Sequence, residues 1–184
     1  MRAIVACATV CVICLLTLSA CSSSSEVNPS PQPKLQPPAL GEITADRSIY
    51  FGEAEDFKEK AGGGIDLKAA ASKEKCLGNR WGADLTDFVT YDFELKEPSE
   101  STLLVLRTAF DSNKPNSYEV IVDGGAVQTA EIGPSGGFGY TEKEWKCTSI
   151  ALGRIAQGRH TLTLRPTKAG AIINIDCFAL GKAK

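Results

Sequence analysis

Polar and apolar positions alternate with period two along much of the chain, and this alternation predicts strands. Val89, Tyr91, Phe93 and Leu95 interleave with Thr90, Asp92 and Glu94, as in a strand with one buried face. Tyr118, Val120 and Val122 interleave with Glu119, Ile121 and Asp123, and Asp123-Gly124-Gly125 then predicts a hairpin turn. His160, Leu162 and Leu164 interleave with Thr161, Thr163 and Arg165. Thr102 to Phe110 is a more continuous apolar run, as in a strand covered on both faces. A last strand is predicted over Ile172 to Leu180, and another over Cys147 to Leu152. Turn residues separate the runs at Asn113 to Asn116, Gly133 to Gly139, Gln157-Gly158 and Lys168 to Gly170. Short strands at this spacing predict an all-β protein, an antiparallel β-sandwich. The Ala- and Lys-rich stretch Leu67 to Lys75 reads as one or two helical turns.

The first residues follow a different pattern. Arg2 precedes an apolar run from Ala3 to Leu18, shorter than the ~20 residues a membrane-spanning helix needs. Residues 1–20 are therefore expected to be a signal peptide. The run ends Leu18-Ser19-Ala20-Cys21, which resembles a bacterial lipobox. The resemblance implies cleavage before Cys21 and acylation of its thiol. That would anchor the chain to a bacterial membrane, on the periplasmic side or at the cell surface, since each buried methylene contributes ~0.8 kcal/mol. The alternative is an ordinary signal peptide with a chance cysteine. Residues 21–47 carry Ser22 to Ser25, Pro29, Pro31, Pro33, Pro37 and Pro38 and read as an extended tether. Residues 48–184 are expected to form one domain, without internal repeats.

Composition narrows the chemistry. Of 7 Cys in 184 residues, Cys7, Cys11, Cys14 and Cys21 lie in the first 21 residues, and only Cys76, Cys147 and Cys177 remain. The wide spacing of these three does not suit a zinc site. A formal charge of -2 argues against nucleic acid as a partner. The single histidine, His160, has the parity of Leu162 and Leu164 and reads as a core or edge residue. No phosphate loop is present, and Gly62-Gly63-Gly64 reads as flexible. Glu53 and Glu55 are neighbours on one strand, whereas glycosidase carboxylates flank a substrate at ~5–9.5 Å across a cleft. A non-enzymatic role is expected. Export favours one disulfide, worth ~2–5 kcal/mol. Three pairings are open, and Cys76 with Cys147, both read as loop residues, is the favoured one. If Cys177 shares the parity of Ile173 and Ile175, it faces inward.

Several fragments in order carry a resemblance. They are Tyr50-Phe51-Gly52-Glu53-Ala54-Glu55, Val89-Thr90-Tyr91-Asp92-Phe93, Leu104-Val105-Leu106-Arg107 and Tyr118 to Gly124, followed by Ser135-Gly136-Gly137-Phe138, Gly158 to Leu164 and Asn174-Ile175-Asp176-Cys177-Phe178. Together they resemble the β-jelly-roll carbohydrate-binding modules of families 6 and 35, which are galactose-binding-domain-like. The resemblance spans residues 50–181. It implies a structural calcium ion (Ca2+) held by Glu53, Glu55 and Asp176. Strand residues i and i+2 share a face, so Glu53 and Glu55 can converge on one ion with 6–8 oxygen ligands at ~2.3–2.6 Å. The alternative is a solvated acidic edge with Lys58 or Arg80 as counter-ion.

The resemblance also implies a glycan site in loops at one end of the sandwich. It places Asn174 on the closing strand and Phe138 after the Gly-Gly turn. Trp81 is placed in the loop Gly78-Asn79-Arg80-Trp81-Gly82, with Tyr140 in the long loop. Sugar C–H faces stack on aromatic rings, and amides or the Arg80 guanidinium bind hydroxyls. Trp145 is weighed as a core or rim residue, and Asn174 equally as a turn cap. The expected protein is a monomeric, membrane-anchored, carbohydrate-binding lipoprotein. The alternative is a structural or protein-interaction lipoprotein on the same scaffold.

Overall fold

The computed structural model describes residues 39–184. The expected signal peptide, the lipidated Cys21 and most of the tether lie outside the described residues.

The described residues form two antiparallel sheets. The strands are β1 (Ser48–Glu53), β2 (Glu59–Ala61), β3 (Gly64–Leu67), β4 (Lys75–Gly78), β5 (Phe88–Leu95), β6 (Ser99–Ala109), β7 (Asn116–Val122), β8 (Val127–Ile132), β9 (Lys146–Ile155), β10 (Gly158–Pro166) and β11 (Asn174–Lys182). One sheet runs β3-β4-β11-β6-β9 with β1 also on β11; the other runs β2-β5-β10-β7-β8. This is an all-β jelly-roll sandwich. The alternating residues Val89, Tyr91, Phe93, Leu95, Leu162 and Leu164 meet Leu104, Leu106, Phe178 and Leu180 in the core between the sheets. Asp123 and Gly124 take positive φ, 53° and 65°, and turn β7 into β8 as the hairpin signal required.

The six-stranded sheet is covered on its outer face as well. Val105 and Ala179, one residue out of phase with Leu104 and Leu180, enclose Ile43 in a second apolar cluster. Ile43 is held in a turn whose N–H donates to the Leu40 carbonyl at 2.9 Å, and Arg47 donates to the Lys182 carbonyl at 3.1 Å. The tether therefore ends earlier than residue 47: the segment from Leu40 onward packs on the domain. Burying one such side chain contributes about 1.5–3 kcal/mol, enough to dock a short strap. This explains why the β6 run is apolar on both faces.

Two other expectations change. The Leu67 to Lys75 stretch is no helix; it holds a single 3-10 turn, Ser72–Glu74, with Lys73 and Glu74 at positive φ. Pairing of β3 with β4 and docking onto the sheet override local helix propensity. Gly63 is a required glycine rather than a slack one: its φ is +51°, and a Cβ there would run into the Trp81 backbone.

Candidate functional site

The end of β3, the turn leaving β4 and the loops entering β9 and β11 converge at one place on the six-stranded sheet. There Asp66, Lys68, Asn79, Arg80, Phe138, Tyr140, Ile172 and Asn174 line one open cleft of about 260 Å³. Four residues named from sequence, Arg80, Phe138, Tyr140 and Asn174, come together here. Each is placed by local structure. The Glu144 carboxylate accepts from the Gly139 and Tyr140 N–H groups at 3.0 Å, and so shapes the loop that carries both rings. Asn174 opens β11; it is 4% exposed, and its Nδ2 donates to the Phe138 carbonyl at 2.8 Å. Its first task is therefore to hold the Phe138 loop. Phe138 is half-buried against the main core, and Tyr140 is 70% exposed.

Trp81 does not join them. It is 0% exposed, stacks on Tyr118 inside the sandwich and donates from Nε1 to the Phe88 carbonyl at 3.3 Å. Asn79 and Arg80 both take positive φ, 49° and 69°, and this tight turn sends residue 81 under the sheet. The expectation of a Trp81 stacking platform is overturned. Trp145 is buried too, against Ala71, Cys76 and Ala109, with Arg107 over its ring at 5.1 Å.

Sequence reading missed Asp66 and Lys68. Lys68 is 5% exposed, its Nζ lies 3.2 Å from Asp66 Oδ2 and 3.6 Å from the centre of the Tyr140 ring. Burial works to lower its pKa, but the Tyr140 hydroxyl and the Asp66 carboxylate outweigh burial and raise it. The i, i+2 spacing of Asp66 and Lys68 was a usable signal, since it places both on one side of an extended segment. Reading that stretch as helical concealed it.

The acidic cluster lies on the same sheet, where a 490 Å³ cleft is bounded by Leu40, Phe51, Ser72, Arg107 and Asp176. A bulge in β11 between Ile175 and Cys177 inserts Asp176, fully buried. The Arg107 guanidinium pairs with it, and the Ser72 N–H donates to Asp176 Oδ1 at 2.6 Å. Ser72 Oγ donates to Glu53 Oε1 at 3.0 Å, and Lys73 Nζ stands 3.6 Å from the same oxygen. Glu55 does not converge with Glu53 by strand parity, because β1 ends at Glu53 and the chain turns there, Asp56 N–H donating to the Glu53 carbonyl. Among the described residues the side chain grouped with Glu53 and Asp176, ligand atoms within 4.8 Å, is Cys177. Glu53 Oε2 and Glu55 Oε2 are nevertheless buried with no hydrogen-bond donor. Burial, with Glu53 and Asp56 nearby, raises the Glu55 pKa against the pull of its own backbone N–H. Two undonated carboxylate oxygens fit a hard cation.

The expected Cys76–Cys147 disulfide is overturned. β4 and β9 are three strand spacings apart in one sheet, about 14 Å, twice the reach of a disulfide. All three cysteines of the domain are free thiols. Cys177 does not face the core with Ile175: the bulge shifts the parity and turns it toward Asp176 and Glu53. His160 bridges two turns at the other end of the sandwich, Nδ1 2.7 Å from Asp123 and Nε2 2.9 Å from the Ala156 carbonyl.

No family model matches the chain, and no curated protein matches it by sequence. Solved structures do match. A family 35 carbohydrate-binding module from Clostridium thermocellum is 16% identical with a TM-score of 0.62, over 73% of this chain and 99% of that one. The module CBM6cm-2 of Cellvibrio mixtus lichenase 5A, solved with cellotriose, is 20% identical with a TM-score of 0.59, over 74% and 99%. An exo-β-1,3-galactanase from Phanerochaete chrysosporium, solved with β-1,3-galactotriose, is 16% identical with a TM-score of 0.59; the match covers 72% of this chain and 29% of the enzyme. The chain has the fold of carbohydrate-binding modules of families 6 and 35.

Proposed function

We propose that this protein is a non-catalytic, monomeric glycan-binding lipoprotein, held to a bacterial membrane through acylated Cys21. The observation that carries the binding reading is the convergence of Arg80, Phe138, Tyr140 and Asn174 on one cleft. An exposed ring beside amide, guanidinium and carboxylate groups suits a sugar, whose C–H face stacks and whose hydroxyls need directed partners. Asp66 is the one carboxylate among the lining residues, so the cleft offers no pair for two-carboxylate hydrolysis. Glu53 and Glu55, with Asp176 beside them, are the side chains that would hold a calcium ion and tie β1 to β11.

A glycan array with the full chain tests this reading, repeated with Arg80→Ala and Tyr140→Ala. Specific binding lost in both variants supports it; binding unaffected by both rejects the cleft. Membrane retention of wild type and release or non-processing of Cys21→Ala tests the anchor. One observation favours a protein partner instead: Leu67 and Ile65 stand exposed on edge strand β3, beside the cleft. A chain that binds no glycan but loses a pulled-down partner on Leu67→Asp supports that second reading.

A further inference from the structure

Lys68 is the one buried lysine or arginine among the described residues. An ammonium out of water needs compensation, and here it has two sources, the Asp66 carboxylate and the π face of Tyr140. The consequences fall on Tyr140. An exposed tyrosine on a loop ordinarily samples several rotamers. This one has its main chain fixed through Glu144 and one ring face set against Lys68 Nζ. The opposite face is open to solvent, in keeping with its exposure.

We propose that Lys68 is a positioning residue that holds the Tyr140 ring with one face presented to ligand, so that a pyranose stacks on a ring already in place. Asp66 neutralises the ammonium and keeps it at the floor of the cleft. The inference rests on the glycan-binding reading. It assigns to Lys68 no contact with the sugar: its effect passes through Tyr140. Freezing the ring before binding removes an ordering cost that a free side chain would incur in the complex.

The test uses the full chain as wild type, Lys68→Met, Lys68→Arg, Tyr140→Leu and the Lys68→Met/Tyr140→Leu double variant. The probes are cellotriose and β-1,3-galactotriose together with the array glycans. The ε-methylene protons of Lys68 should be shifted upfield in wild type by the Tyr140 ring current and should revert in Tyr140→Leu. Lys68→Met should weaken glycan binding about tenfold, and Lys68→Arg, which keeps a cation on the ring, by no more than about threefold. The double variant should bind no more weakly than Tyr140→Leu alone. Unshifted ε-methylene protons overturn the proposal, as does a Lys68→Met protein that melts like wild type and binds as tightly. Additive losses in the double variant also overturn it, because Lys68 would then act on the sugar directly. Failure of wild type to bind any glycan, with the upfield shift present, overturns the binding reading and the role built on it while leaving the Lys68–Tyr140 contact standing.

Discussion

The indole of Trp81 lies flat against the phenol of Tyr118, ring centroids 5.8 Å apart and planes 9° from parallel. Both rings are buried between the sheets, and each anchors its polar tip on a backbone carbonyl, Trp81 on Phe88 and Tyr118 on Ala171. The pair fastens the cleft loop to the five-stranded sheet, so Trp81 serves stability. Trp81→Ala should lower the unfolding free energy by about 3–5 kcal/mol in urea titrations. Tyr140→Ala, at an exposed site, should change it by no more than about 0.5 kcal/mol while weakening glycan binding at least as much as Lys68→Met does. Equal stability losses in the two variants would contradict this division of labour.

The thiols give a second expectation. Cys147 is exposed, and Cys76 and Cys177 are buried. Burial pushes the Cys76 thiol up to about 12 and, together with Asp176, raises Cys177 as well. Native protein should therefore be alkylated at Cys147 first. Cys76 and Cys177 should react only after denaturation, each as a free thiol. Peptide mapping of the alkylated chain without reduction checks this, and a disulfide-linked peptide joining any two of the three refutes it.

Asp123 predicts the acid limb of stability. Burial works to raise its pKa, but hydrogen bonds from His160 and the Thr161 N–H prevail and hold it below the usual carboxylate value of 3.8. A carboxylate with a depressed native pKa binds protons more readily in the unfolded chain. Its contribution is complete above the unfolded value and is lost as pH falls through the native one. Asp123→Asn should flatten the melting-temperature profile below about pH 4, the unperturbed carboxylate range. At neutral pH it should cost about 1 kcal/mol, at the low end for charge-assisted bonds because the carboxylate is half exposed. An unchanged acid limb would show that the hairpin turn does not depend on this pair.

How much of this was legible beforehand follows from the physics of each element. The strands β5, β7 and β10 were visible because one buried face imposes period two, and β6 and β11 because cover on both faces makes a long apolar run. The short strands β2, β3 and β4 were not, since three or four residues carry no period and Lys- and Ala-rich flanks imitate a helix. Asn174 and Phe138 reached the cleft because the order of strands fixes which loops share an end. Trp81 missed it because a left-handed turn at Asn79 and Arg80 reverses the side on which the next residue emerges, and Arg rarely signals such a turn. Asp176 and Cys177 share a face only through a bulge, which strand alternation cannot foresee.

The buried pair of Arg107 and Asp176 sets the last prediction. Asp176 is fully buried, and Arg107 reaches both it and the exposed Glu142. Removing one partner of a buried pair strands the other, so Arg107→Met should cost about 3–5 kcal/mol in chelator. Asp176→Asn in the same background should recover part of that loss, because the stranded charge is gone. Calcium acts on the same cluster from the other side. An ion that binds only the folded chain adds about 2.7 kcal/mol at a hundredfold excess over its dissociation constant. If Glu53 and Glu55 hold it, calcium should raise the melting temperature of wild type and should raise that of Arg107→Met further, since Asp176 is then an additional free oxygen ligand. Glu55→Gln should abolish the response in both. Identical melts in calcium and in chelator for wild type and Arg107→Met would show that Arg107, Lys73 and Ser72 balance the carboxylates without any ion.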